Sequence, residues 1–145
     1  MARIKINLPE KFPFQTFIPV RITDLNYGKH VGNDTILSLM HEARVQYFQW
    51  LGYKDELNLN GIGLIMADSG IMYKSETFYG EKIIIEVAAT ELSKVSFDLI
   101  YRLSGQNSGK EIARGKTGMV CFDYENRRPA SIPETLKENL MKSEV

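Results

Sequence analysis

The sequence predicts an α+β fold in which one long helix is wrapped by an antiparallel sheet. Three observations point there. A stretch over 35–51 carries apolar residues at helical spacing around half its circumference. Five stretches rich in Ile, Val, Phe and Leu read as strands, one before that helix and four after it. Short turn-like breaks join the later strands in succession, which favours antiparallel pairing.

Taken in order, the first strand spans 15–23, and Pro19 within it marks an edge strand or a bulge. A loop with two glycines follows over 24–33. Asn33 or Asp34 can cap the next helix, because either side chain can accept from the free amides of its first turn. Gly52 stops the helix. Ile36, Met40, Ala43, Tyr47 and Trp50 make one apolar stripe, and Leu37, Leu39, Phe48 and Leu51 widen it. A helix so broadly apolar needs a sheet around it. Arg44 stands at the edge of this arc, so a buried partner for its charge is expected. Further strands are read over 63–74, 82–92, 95–103 and 111–124, with Ile83, Ile85 and Val87 on one face. A terminal helix over 133–142 starts with Pro133 in its first turn.

The 145 residues fit one domain, 1–145, with no linker and no repeat. Eighteen basic residues balance eighteen acidic ones, which argues against a general nucleic-acid binder. No apolar run approaches the roughly 20 residues of a membrane helix, and residues 1–10 lack the apolar core of a signal peptide. Cys121 is the only cysteine, so no internal disulfide can form and a reducing, cytoplasmic setting is expected. His30 and His41 are the only histidines, and without a cysteine cluster no metal site or other cofactor is expected.

The motif with most chemical content runs from Asp24 through Asn26, Gly28, His30, Val31 and Gly32 to Asn33, followed on the helix by Glu42, Ala43 and Arg44. Together with the turn Tyr79-Gly80-Glu81 and a last strand over 115–123, it resembles the hotdog-fold acyl-CoA thioesterases, relatives of 4-hydroxybenzoyl-CoA thioesterase and of the plant acyl-ACP thioesterases. The resemblance extends over about 14–140. It implies a hotdog fold, one long central helix wrapped by a five-stranded antiparallel sheet, and a homodimer or homotetramer with the site often at the interface. It also implies hydrolysis of an acyl-CoA to free acid and CoA, with backbone amides around His30 to Gly32 stabilising an oxyanion. Gly28, Val31, Gly32 and Asn33 would lie against the substrate, and Asp68 and Ser69 would be walls of the acyl pocket.

The chain departs from the family pattern at one position: Asn26 stands where the second Asp of the pattern is the usual catalytic carboxylate. An amide cannot act as a base, although it can hold a water or a carbonyl. Asn26 is therefore either a site residue or a turn residue bonding its own backbone. Asp24, two residues away or about 6.6 Å along a strand, either anchors the loop or does chemistry. His30 is a base on the loop itself or a structural histidine. Glu42 shares the polar arc of the helix with Ser38, Gln46 and Gln49, and is a catalytic carboxylate or one half of an ion pair with Arg44. Two further readings stay open: an acyl-thioester binding protein that has lost catalysis, and an acyl-ACP thioesterase. A hotdog dehydratase needs a different His and acid constellation, which the chain lacks. Lys82, Lys94, Arg102, Lys110, Arg114 and Lys116 are scattered and select no phosphate site.

Overall fold

The computed structural model describes residues 1–142. In chain order the elements are β1 (Phe14–Pro19), a 3-10 turn (Ile22–Asp24), α1 (Asn33–Trp50), β2 (Gly63–Tyr73), β3 (Lys82–Thr90), β4 (Ser96–Gly105), β5 (Glu111–Asp123), β6 (Arg128–Pro129) and α2 (Glu134–Met141). The strands form one antiparallel sheet in the order β1-β3-β4-β5-β2, and β6 pairs with β5. The sheet curls around α1 in the hotdog layout.

Period-two alternation fixes which face the helix meets. Ile83, Ile85 and Val87 of β3 turn inward, as do Leu99, Tyr101 and Leu103 of β4, and all six are fully buried. Opposite them lie Met40, Ala43, Tyr47 and Phe48 of α1, also fully buried. Trp50 is only partly covered, stacked on Tyr47 and tilted against Phe14. Arg44 finds its partner in Glu56, whose carboxylate accepts from Nε at 2.5 Å. Glu56 belongs to the stretch that follows α1, so this pair pins that stretch to the helix.

Three expectations change. β1 ends at Pro19 rather than 23: Pro19 pairs with Lys82, the first residue of β3, the Val20 amide donates to the Glu81 carbonyl at 2.9 Å, and the chain then enters the 3-10 turn. The helix begins at Asn33, and its N-cap is Gly32, with no side-chain cap from Asn33 or Asp34. The Gly32 amide is held by the Asp24 carbonyl at 3.1 Å, which sets the helix start at that residue. The sheet has a sixth, two-residue strand, formed as the chain doubles back after β5. The residues before β1 also carry structure: they run across the outer face of the sheet. Ile6 is buried there, its carbonyl accepting from Arg114 at 3.2 Å, and Phe12 lies under the Arg102 guanidinium.

Candidate active site

The loop that feeds α1 is a closed hairpin. The Asn26 amide donates to the His30 carbonyl at 2.8 Å, and Leu25 bridges to Val31. The Asn26 side-chain oxygen accepts from the Gly28 amide at 2.8 Å, an Asx turn. A Cβ at Gly28 would press on both Asn26 Oδ1 and the His30 ring at 3.2–3.3 Å, so a larger residue there would shift one of these side chains. Asp24 is almost completely buried. Its carboxylate accepts from the Arg21 amide at 2.8 Å and from the Arg21 guanidinium at 3.1 Å. Both residues thus serve the loop's geometry: Asp24 anchors it and Asn26 shapes its turn.

On its other side the loop is stitched to the chain between β2 and β3. Val31 N–H donates to the Thr77 carbonyl at 2.9 Å, and His30 bridges to Phe78. Of the amides expected to receive an oxyanion, those of Val31 and Gly32 are therefore already used in backbone bonds. The free donors lie one step further on. The Gly32 carbonyl takes the amides of Thr35 and Ile36, which leaves those of Asn33 and Asp34 heading the helix with no acceptor among the described residues. The positive end of the helix dipole adds to their pull on an anion.

Asn33 also lines a cavity of about 250 Å³, together with His30, Val31, Ile36, Tyr73, Glu76, Thr77 and Ile112. The Nδ1 of His30 lies 3.2 Å from the Val31 carbonyl. A carbonyl can only accept, so in this contact Nδ1 is the donor, which turns Nε2 toward the cavity side. Nε2 is 3.8 Å from the Glu76 carboxylate. The Tyr73 hydroxyl donates to the Asn33 carbonyl at 3.1 Å, and the Thr77 hydroxyl is buried with no partner. Tyr73, Glu76 and Thr77 carry no signal in the sequence. They follow or end a strand with no motif of their own, and only the long-range pairing of 30–31 with 77–78 brings them to the loop.

The other expected site residues lie elsewhere on the chain. Glu42 accepts from Gln46 at 2.9 Å, and Gln46 in turn bonds the Thr16 hydroxyl. Glu42 and Gln46 border a hollow between α1 and β1 that is also lined by Arg21 and Ser38. Asp68 and Ser69 border a third hollow, under the N-terminal segment with Lys5, Asp98 and Lys116, and do not line the cavity at His30. Asp68 follows a bulge in β2 and accepts from Lys116 at 2.7 Å; this bond from the ammonium holds its carboxyl below the usual carboxylate range. Cys121 is buried on the inner side of β5, and burial pushes its thiol up to about 11. Among the described residues no helix is long and apolar enough to cross a membrane.

Comparison with known proteins agrees with this fold. The chain is 27% identical over 122 residues to a 1,4-dihydroxy-2-naphthoyl-CoA hydrolase of Synechococcus elongatus, covering 82% of this chain and 88% of the relative. A thioesterase from Thermus thermophilus, solved in complex with coenzyme A and Zn, superposes with a TM-score of 0.78. It is 28% identical, and the match covers 91% of this chain and 94% of that one. The 1,4-dihydroxy-2-naphthoyl-CoA thioesterase Slr0204 of Synechocystis shares the fold, with a TM-score of 0.80 at 20% identity over 88% and 94% of the two chains. A family model matches residues 20–140, nearly all of the helix-and-sheet unit built above, and by that match the chain belongs to the thioesterase-like superfamily.

Proposed function

We propose that this chain hydrolyses an acyl-CoA thioester, with His30 as general base and the head of α1 as oxyanion site. The observation that carries this reading is the meeting of two unused groups at one cavity: the His30 imidazole and the unpaired amide of Asn33, with the unpaired Asp34 amide next to it on the helix. The thioester oxygen lies against those amides. Nε2 takes a proton from water, whose oxygen attacks the carbonyl carbon. The tetrahedral intermediate then collapses with cleavage of the C–S bond, and the imidazolium returns the proton to the departing sulfur. Water is consumed, and a carboxylic acid and CoA thiol are formed. Glu76 faces the imidazolium while it is charged, although its exposure weakens that effect. General-base catalysis of this kind contributes about 10²–10⁴-fold, and loss of one oxyanion donor costs about 10²–10³-fold.

The test is free-thiol release from a panel of acyl-CoAs by the folded protein. No release from any of them contradicts hydrolysis. The same assay with acyl carrier protein thioesters separates CoA from protein-borne substrates.

Asn26 favours a second reading, an acyl-thioester binding protein without turnover, because the family's usual carboxylate is missing there. The Asn26→Asp variant decides. An inert wild type with an active variant supports binding alone, whereas an active wild type supports the enzyme.

Two chains joined through β2 make the working unit in this reading. β2 has 11 residues, ends the sheet, and leaves Ile65, Met66 and Tyr73 exposed, and an apolar edge of that length is a template for pairing. Sedimentation at the mass of a single 16.6 kDa chain contradicts the dimer. A single, buried cysteine suits a reducing cytoplasm.

A further inference from the structure

Tyr73 is the last residue of β2, the strand that ends the sheet, and it stands 40 residues from the helix head in sequence. Its hydroxyl nevertheless donates to the Asn33 carbonyl at 3.1 Å. Asn33 is the first residue of α1. Its carbonyl shares one peptide unit with the Asp34 N–H, one of the two leading amides with no acceptor among the described residues. A peptide unit is planar, with C=O and N–H held in opposite directions. A bond that fixes the carbonyl therefore fixes where the amide points. It also polarises the unit, which strengthens the N–H as a donor. The bond falls where the helix needs it, since the opening turn has unpaired amides and frays most readily. Packing does not account for the residue: Tyr73 is 53% exposed, so its ring is outside the core.

We infer that Tyr73 is a positioning residue: through the Asn33 carbonyl, its hydroxyl aims the Asp34 amide at the thioester oxygen. The inference rests on the hydrolase reading above and adds to it a group that acts on the oxyanion site through another residue. A second tyrosine isolates the claim. The Tyr124 hydroxyl donates to the Leu64 carbonyl at 2.9 Å, near the start of the same strand. Tyr124 is also about half exposed. It borders a different hollow, with Leu57, Ile62 and Phe122, that His30 does not line. The two tyrosines thus tether the two ends of β2 by like bonds, and only the bond of Tyr73 ends on the helix head. A purely structural tether predicts similar losses when either hydroxyl is removed. A positioning role predicts a loss of rate for Tyr73 alone.

The experiment compares wild type, Tyr73→Phe and Tyr124→Phe, variants that keep the ring and drop only the hydroxyl. Thiol release from the acyl-CoA that wild type turns over fastest gives kcat and KM separately, and melting and sedimentation are measured for each protein. Outright loss of an oxyanion donor costs about 10²–10³-fold, and misaiming one costs less, so Tyr73→Phe is expected to lower kcat by about tenfold. Its KM is expected to change by less than about twofold, the mark of an interaction made in the transition state. Its sedimenting mass should match wild type, and its melting temperature should change no more than that of Tyr124→Phe. Tyr124→Phe itself is expected to keep kcat within about twofold of wild type. An unchanged kcat in Tyr73→Phe overturns the inference and leaves hydrolysis standing. So does a loss that Tyr124→Phe shares, that appears in KM alone, or that comes with a larger drop in melting temperature or a changed mass. If wild type releases no thiol, the hydrolase reading falls, and NMR still reads the amide. The Asp34 amide signal is then expected to move in Tyr73→Phe by more than that of any residue not adjacent to position 73. An Asp34 signal that stays in place overturns the inference.

Discussion

The two flanks of α1 make an instructive contrast. Both border hollows, and both hold charged or titratable residues of the same sequence motif. At the helix head, His30 stands beside backbone amides that nothing else in the described chain uses. Midway along the helix, on the β1 side, Glu42 stands in a larger hollow of about 440 Å³. There the polar groups satisfy one another: Gln46 donates to Glu42 and also bonds Thr16. The backbone amides of that region are spent in the helical ladder, since only the first turn of a helix has free donors. A hollow with a carboxylate but no unused backbone amide lacks the fixed donors that the helix head holds ready for a developing oxyanion. The difference teaches that chemistry follows unsatisfied groups rather than cavity size or the presence of an acidic residue.

The largest expected effect tests the helix-head flank. His30→Gln removes the base and keeps a polar side chain on the loop; kcat should fall by about 10²–10⁴-fold with little change in melting temperature. Asn26→Ala comes next. It deletes the bond that shapes the turn under His30 but leaves the base in place, and a roughly tenfold loss of kcat is expected from imperfect positioning. Glu42→Gln, on the opposite flank, should change kcat/KM by less than about twofold, since its exposed hydrogen bond to Gln46 is worth little. A loss on the scale of His30→Gln would move the chemistry to the β1 side. The smallest effect concerns neither flank. Cys121 is buried, with its thiol held up to about 11, so the protonated form dominates well below that value. At pH 8 a thiol reagent should leave native protein unlabelled and fully active, and should label it once it is unfolded in denaturant.

Much of this contrast is legible in the chain itself. The stripe from Ile36 to Tyr47 and the alternation of Ile83, Ile85 and Val87 are local signals of period 3.6 and 2, and they identify the helix, the long strands and the sheet's inner face correctly. The features that escape depend on contacts distant in sequence. Ile6 looks like an isolated apolar residue in a polar leader until it meets Met72 and Arg114. Glu76 and Thr77 have no motif, yet β-type pairing sets them beside His30. Asn26 shows the reverse case: the chain marks it as a site residue or a turn residue, and the bond from the Gly28 amide to its side-chain oxygen shows the turn. The capping of α1 differs from expectation for a related reason. The helix head carries Asn33 and Asp34, residues well suited to capping, but the tether from Gly32 to Asp24 starts the helix earlier and leaves the leading amides free.

The most direct measurement of which flank works is a crystal structure with a non-hydrolysable ketone analogue of butyryl-CoA. The ketone oxygen is predicted to lie within hydrogen-bonding distance of the Asn33 and Asp34 amides, with the His30 Nε2 facing the carbonyl carbon across one water. An analogue whose carbonyl sits instead against Glu42, between α1 and β1, with the cavity at the helix head left to solvent, would contradict the account.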